Sequence, residues 1–168
     1  MNISLNYRFL ISLAVRLIIV TGIVSFILVQ LLWEQNTLVP LWGQQSVSTD
    51  LTVYSAVLAF ILTWVVTKST RRALRQSKVL PLHWHLKSQT LIDRLPSLTL
   101  NRAFILSLNG VITSYILILL LHIREMELIP QDQYCVLFVI YVVLFTLAIT
   151  VMAFYRALGD NFMHKSRI

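Results

Sequence analysis

Charge, glycine and cysteine are all scarce in this chain. Asp, Glu, Lys and Arg make up only 12% of its residues, against roughly a quarter in an average soluble domain, which excludes an ordinary water-soluble fold. A lone cysteine, Cys135, forms neither an internal disulfide nor a Cys-based zinc site, so disulfide frameworks, zinc ribbons and CxxC redox centres fall together. With 4 glycines in all, the sequence holds no Gly-rich phosphate loop, and a channel filter or glycine-zipper pore is excluded as well. The G-x-S-x-G and H-E-x-x-H signatures are absent too. The expectation is therefore a protein that is no enzyme, with no catalytic residues, no metal and no cofactor.

What the sequence does contain is apolar bulk: 57% hydrophobic residues and a mean hydropathy of +0.76. The bulk lies in four runs, at residues 9–33, 51–67, 103–121 and 134–155, each near the roughly 20 residues a helix needs to cross hydrocarbon. The first run is too long for the apolar core of a signal peptide, carries Arg16 and lacks a small-x-small cleavage site after it. It is expected to stay as a signal anchor. The predicted fold class is an all-α integral membrane protein with four transmembrane helices.

Direction follows from the basic residues. Of 14 Lys and Arg, all but Arg16 and Arg124 fall at the N-terminus, between spans two and three, or in the tail. The connections after spans one and three hold Glu34, Asp50, Glu125, Glu127 and Asp132. The positive-inside rule then places both termini and the middle loop in the cytoplasm, with the two acidic connections facing outward. This placement explains the net charge of +7 by anionic lipid headgroups rather than nucleic acid, since no stacking aromatics interleave with the basic residues. Trp33, Trp42, Trp64, Trp84 and Tyr155 are expected as interfacial anchors.

Self-similarity runs through the chain in order. Asn6-Tyr7-Arg8-Phe9 entering span one matches Asn101-Arg102-Ala103-Phe104 entering span three, and both continue with two apolar residues, Ser and Leu. Leu38-Val39-Pro40 matches Leu128-Ile129-Pro130, and Arg72-Ala73-Leu74 matches Arg156-Ala157-Leu158. The pattern reads as a tandem, parallel repeat of a two-helix hairpin with the N- and C-termini both inside. The units are residues 1–75 and 101–168, joined by a cytoplasmic linker at 76–100. Trp84, Leu91, Ile92 and Leu95 in that linker suit either a short interfacial amphipathic helix or an irregular connector. A four-helix bundle with sequential antiparallel hairpins is expected.

Two residues stand out inside the runs. Arg16 lies about two turns into span one, where an arginine either snorkels to the headgroups or meets a ligand or partner subunit. Asn109, followed by Gly110 in span three, is costly in hydrocarbon unless it bonds another helix or a ligand. No acidic residue falls within the four predicted spans. His122 is separated by the hydrocarbon thickness from His83, His85 and His164, so the histidines share no single metal or haem centre.

In layout, this duplicated pair of spans resembles two bacterial inner-membrane groups, the proteobacterial small-drug efflux family built from tandem transmembrane pairs and a family of duplicated or single two-helix proteins of no assigned function, and also the four-span immunity proteins; the resemblance implies a bacterial inner membrane. The efflux family places an acid in its first helix, where this chain has Arg16, so no functional residue carries across. The functional expectation is a non-catalytic accessory or scaffold subunit that packs against other membrane proteins. The alternative is a small homo-oligomeric transporter or efflux protein without an intramembrane carboxylate.

Overall fold

The computed structural model describes residues 5–33, 38–80 and 95–165, with side chains in the last helix described as far as residue 160. In chain order its elements are α1 (Leu5–Leu32), β1 (Leu38–Pro40), α2 (Val47–Arg75), α3 (Thr99–Ile123), β2 (Leu128–Pro130) and α4 (Gln131–Lys165). All four helices are long and apolar enough to cross a membrane. Even α3, at 25 residues, spans roughly 37 Å along its axis, more than the hydrocarbon thickness.

Two helices extend well past the apolar runs that predict them. α2 begins at Val47 rather than 51 and continues to Arg75 rather than 67. Its start is fixed by Ser46, whose hydroxyl accepts from the Thr49 N–H at 3.4 Å, with Asp50 favourably placed in the first turn of the helix dipole. Its last turns are basic, with Arg72 and Arg75 against the carbonyl end. α4 likewise runs from Gln131 to Lys165, beyond the predicted 134–155. These extensions bring Asp50, Asp132 and Asp160 into the helices, all outside the four apolar runs, which themselves hold no acid.

The N-terminus of α1, the C-terminus of α2, the N-terminus of α3 and the C-terminus of α4 gather at one end, here the basic end. At the opposite end β1 pairs antiparallel with β2, with Leu38 opposite Pro130, Val39 opposite Ile129 and Pro40 opposite Leu128. The Leu41 N–H donates to the Glu127 carbonyl at 2.9 Å and prolongs this ribbon. Val39 and Leu41 are fully buried beneath it. Gly43 has φ 139°, a conformation side chains rarely adopt, and its carbonyl accepts from both Ser46 and Thr49 hydroxyls to turn the chain into α2.

The helices do not pack as sequential hairpins. α1 lies on α4, α4 on α2 and α2 on α3, and among the described residues neither α1 with α2 nor α3 with α4 forms a principal packing pair. The principal packing order of this helical bundle is α1–α4–α2–α3, and α3 also meets α4 locally, through Gly110 at the Phe145 ring and Arg102 at Asp160. Helices approach closely at Gly110, where an added Cβ would stand 2.9 Å from the Ser55 carbonyl oxygen and 2.9 Å from the Phe145 ring. Polar contacts fix the other seams: Thr21 to Thr146 at 3.1 Å between α1 and α4, and Ser55 to Tyr141 at 2.7 Å between α2 and α4. Ser107 donates to the Ala56 carbonyl at 2.9 Å between α3 and α2. In hydrocarbon such bonds leave few polar groups unpaired, which holds helices in register.

Candidate functional site

This packing order leaves a groove between the helices of each hairpin. One, of about 520 Å³, runs between α1 and α2 and is lined by Val24, Leu28, Leu32, Val53, Val57 and Ile61, with Asp50 among its residues. The other, of about 680 Å³, lies along α3 and α4 against Leu117, Val136, Leu137, Ile140 and Leu144, and includes Asp132. Both grooves are apolar along the helices and carry an acid at the ribbon end.

Asp50 is itself built into the ribbon end. Its Oδ2 accepts from Trp33 Nε1 at 3.0 Å and from the Tyr134 hydroxyl at 3.2 Å, while the Trp33 and Tyr134 rings meet edge to face with centroids 6.4 Å apart. One carboxylate thus ties the end of α1, the start of α2 and the start of α4. Beside it Gln131 Nε2 donates to the Trp33 carbonyl at 3.3 Å.

At the basic end three arginines converge on one acid. Arg102 Nη2 lies 2.9 and 2.8 Å from the two oxygens of Asp160, Arg71 Nη2 lies 2.8 Å away and Arg156 Nη1 3.1 Å away. Arg102 is fully buried, Arg156 and Asp160 are nearly so, and the Arg71 side chain is 35% exposed. The remaining guanidinium donors hold the chain that enters α3. Arg102 donates to the Pro96 and Ser97 carbonyls, Arg156 Nε to the Leu95 carbonyl at 2.6 Å, and Arg71 to the Ser97 carbonyl and the Thr99 hydroxyl. Bonds to charged groups are the strong ones, and here they link α2, α3 and α4 at one point.

The residues singled out by sequence lie elsewhere. Arg16 is exposed on α1, and its Nε and Nη2 donate to the Ser12 carbonyl at 3.0 Å and the Ser12 hydroxyl at 2.9 Å. The side chain therefore turns back one helical turn toward the basic end, the direction in which an arginine snorkels. Asn109 is exposed on α3, with its carbonyl accepting from Thr113 at 2.8 Å. Gly110, rather than Asn109, makes the interhelical approach.

The aromatic anchors divide. Trp33 bonds Asp50, Trp42 is exposed and meets His122 edge to face, and Trp64 is exposed with Lys68 Nζ 4.3 Å above its ring. Tyr155 packs against Phe154. Trp84, His83, His85 and the linker helix expected near them lie outside the described residues, as does the side chain of His164.

Sequence reasoning missed the Asp160 cluster. The one local signal was Arg156 and Asp160 at a spacing of i and i+4; Arg71 and Arg102 are distant in sequence and read as headgroup contacts. Comparison with models of known families, with curated proteins and with solved structures finds no match to this chain.

Proposed function

We propose that this chain is a non-catalytic integral protein of a bacterial inner membrane that serves as an accessory or scaffold subunit, packing against other membrane proteins. The observation that carries the reading is the packing order: α1 and α3 each pack principally on one neighbouring helix, which leaves their outer faces and the grooves beside them open. Phe104, Leu108, Val136, Ile140 and Leu144 are exposed there, and a groove runs between α1 and α2 and another between α3 and α4. Most buried hydroxyls among the described residues are satisfied within the chain, as Thr63 by the Ala59 carbonyl and Thr70 by the Val66 carbonyl.

In this reading the basic end is cytoplasmic, with both termini there, on the strength of the Lys and Arg distribution. The chain is also a tandem repeat. Supporting that, the matched segments Leu38–Pro40 and Leu128–Pro130 pair antiparallel with Val39 opposite Ile129, the register a twofold axis along the membrane normal would give. The packing of α1 on α4 and of α2 on α3 is related by the same exchange of units.

Photo-crosslinking in cells tests the proposal. A photoreactive residue replacing Val57 or Ile140, one in each groove, is expected to give discrete adducts with the same membrane protein or proteins. Adducts to a second copy alone would move the reading to a small homo-oligomeric transporter. Adducts to lipid alone would remove the subunit reading.

A further inference from the structure

The basic end holds more positive charge than the described chain balances. Three guanidiniums meet the single carboxylate of Asp160, and two of them, Arg102 and Arg156, are removed from water. Buried charge without a counter-ion is costly, because low dielectric weakens neither the self-energy of the group nor the repulsion between like neighbours. Carbonyl oxygens of residues 95–97 supply dipoles to these guanidiniums, yet they supply no charge.

The side of the cluster that meets solvent has a definite chemistry. Arg71 is its exposed member, donating to the Thr99 hydroxyl at 2.9 Å and so standing at the first turn of α3. Leu98 occupies the cap position of that helix and provides no side-chain acceptor, so the first turn keeps N–H groups without an intrahelical partner. Leu98, Leu100 and Asn101 are exposed around it. Further cations, Arg72, Arg75 and Lys78, stand exposed at the same end.

We propose that the Asp160-centred arginine cluster, entered at Arg71 beside Thr99, is a binding site for a phosphate anion, carried by a phospholipid headgroup or free in solution. Both Nη2 hydrogens of Arg71 are taken by Ser97 and Asp160 and one Nη1 hydrogen by Thr99, so its Nε–H and second Nη1 hydrogen are the donors left over among the described residues, on a group that keeps its charge at every physiological pH. The fully buried Arg102 and the nearly buried Arg156 supply the field behind it, and Asp160 holds the three guanidiniums apart at fixed positions.

The test uses the full chain in nanodiscs of phosphatidylcholine, with thermal unfolding as readout. Phosphatidylglycerol is added to the discs in one arm, and inorganic phosphate to the buffer in the other, each against chloride at equal ionic strength. A saturable rise in midpoint of at least about 5 °C is expected at a large excess over Kd in one arm. Arg71→Gln should abolish it, and Arg75→Gln, which changes an exposed cation one turn away, should keep it. A response to phosphatidylglycerol alone identifies a lipid headgroup, and a response to inorganic phosphate in pure phosphatidylcholine identifies a free anion. If Arg71→Gln does not assemble, Arg71→Lys serves instead. It keeps the charge but loses the planar set of donors that at once holds Thr99, Ser97 and Asp160 and faces the anion, and should weaken the apparent affinity about tenfold. No response in either arm, or an equal loss in Arg71→Gln and Arg75→Gln, would overturn the proposal and leave the cluster as an internal tie between helices.

Discussion

Arg102 of α3 and Asp160 of α4 form a direct ion pair: one guanidinium nitrogen lies 2.8 and 2.9 Å from the two carboxylate oxygens, with Arg102 fully buried. Removing the acid leaves Arg71, Arg102 and Arg156 facing one another. Asp160→Asn is therefore expected to destabilise the protein by about 3–5 kcal/mol, the usual cost of breaking one side of a buried ion pair. Unfolding in a mild detergent or in SDS titration measures it. A loss under about 1 kcal/mol, the range of an exposed pair, would mean that the cluster is solvated and carries little weight.

Gly110 sets the separation of α2 and α3. A Cβ there meets the Ser55 backbone oxygen at 2.9 Å, and backbone cannot swing aside as a side-chain tip can. Gly110→Val should cost about 1–3 kcal/mol by overpacking. Gly22 is a matched comparison, since a Cβ there meets only Val143 at 3.9 Å, an ordinary contact. Gly22→Ala should be neutral or slightly stabilising, because it removes chain freedom from the unfolded state. Equal effects at the two glycines would contradict the packing described between α2 and α3.

Thr150 is fully buried in α4 and its hydroxyl has no hydrogen-bond partner among the described residues. An unmet hydroxyl in an apolar setting costs about 1–3 kcal/mol. Thr150→Val, which keeps the shape and removes the oxygen, is expected to raise the unfolding midpoint. Thr146, one turn earlier, shares its hydroxyl with Thr21, and Thr146→Val should lower the midpoint by about 0.6 kcal/mol or its thermal equivalent. The opposite signs are the discriminating result.

Among the described residues Arg16 bonds only Ser12 of its own helix, so its replacement tests whether anything outside them uses it. Arg16→Leu should leave membrane insertion and the unfolding midpoint unchanged. If the residue serves only to reach the headgroups, recovery of partners is unchanged as well. Loss of partner recovery with an intact midpoint would instead identify Arg16 as a subunit or ligand contact.

How far the sequence could be read is set by the range of each interaction. Four helices were legible because hydrophobic runs of transmembrane length have few alternative uses. Their ends were not, because Ser46, Asp50 and the basic residues after 67 end an apolar run without ending a helix. The packing order was hidden for a different reason. Nothing local distinguishes a helix that lies on its hairpin partner from one that lies on the opposite unit, and only the small residue at Gly110 hinted at a close seam. Of the candidate sites, Asn109 drew attention by its polarity, yet it is Gly110 beside it that meets Ser55. Asp160 drew none, because its partners Arg71 and Arg102 come from other helices and the i, i+4 pair with Arg156 is a common surface pattern. The role of Trp33 was half legible: its place at a helix end followed from interfacial preference, whereas its bond to Asp50 depends on how α1 and α2 meet.

The subunit reading is tested most directly by the mass of the particle as it leaves the membrane. Extraction of the tagged chain from its own host into native nanodiscs, followed by mass determination and identification of bound proteins, should give an assembly well above the 19.4 kDa of one chain, with one or more other membrane proteins in fixed stoichiometry. A particle that contains this chain alone, as monomer or homo-oligomer, would contradict the account.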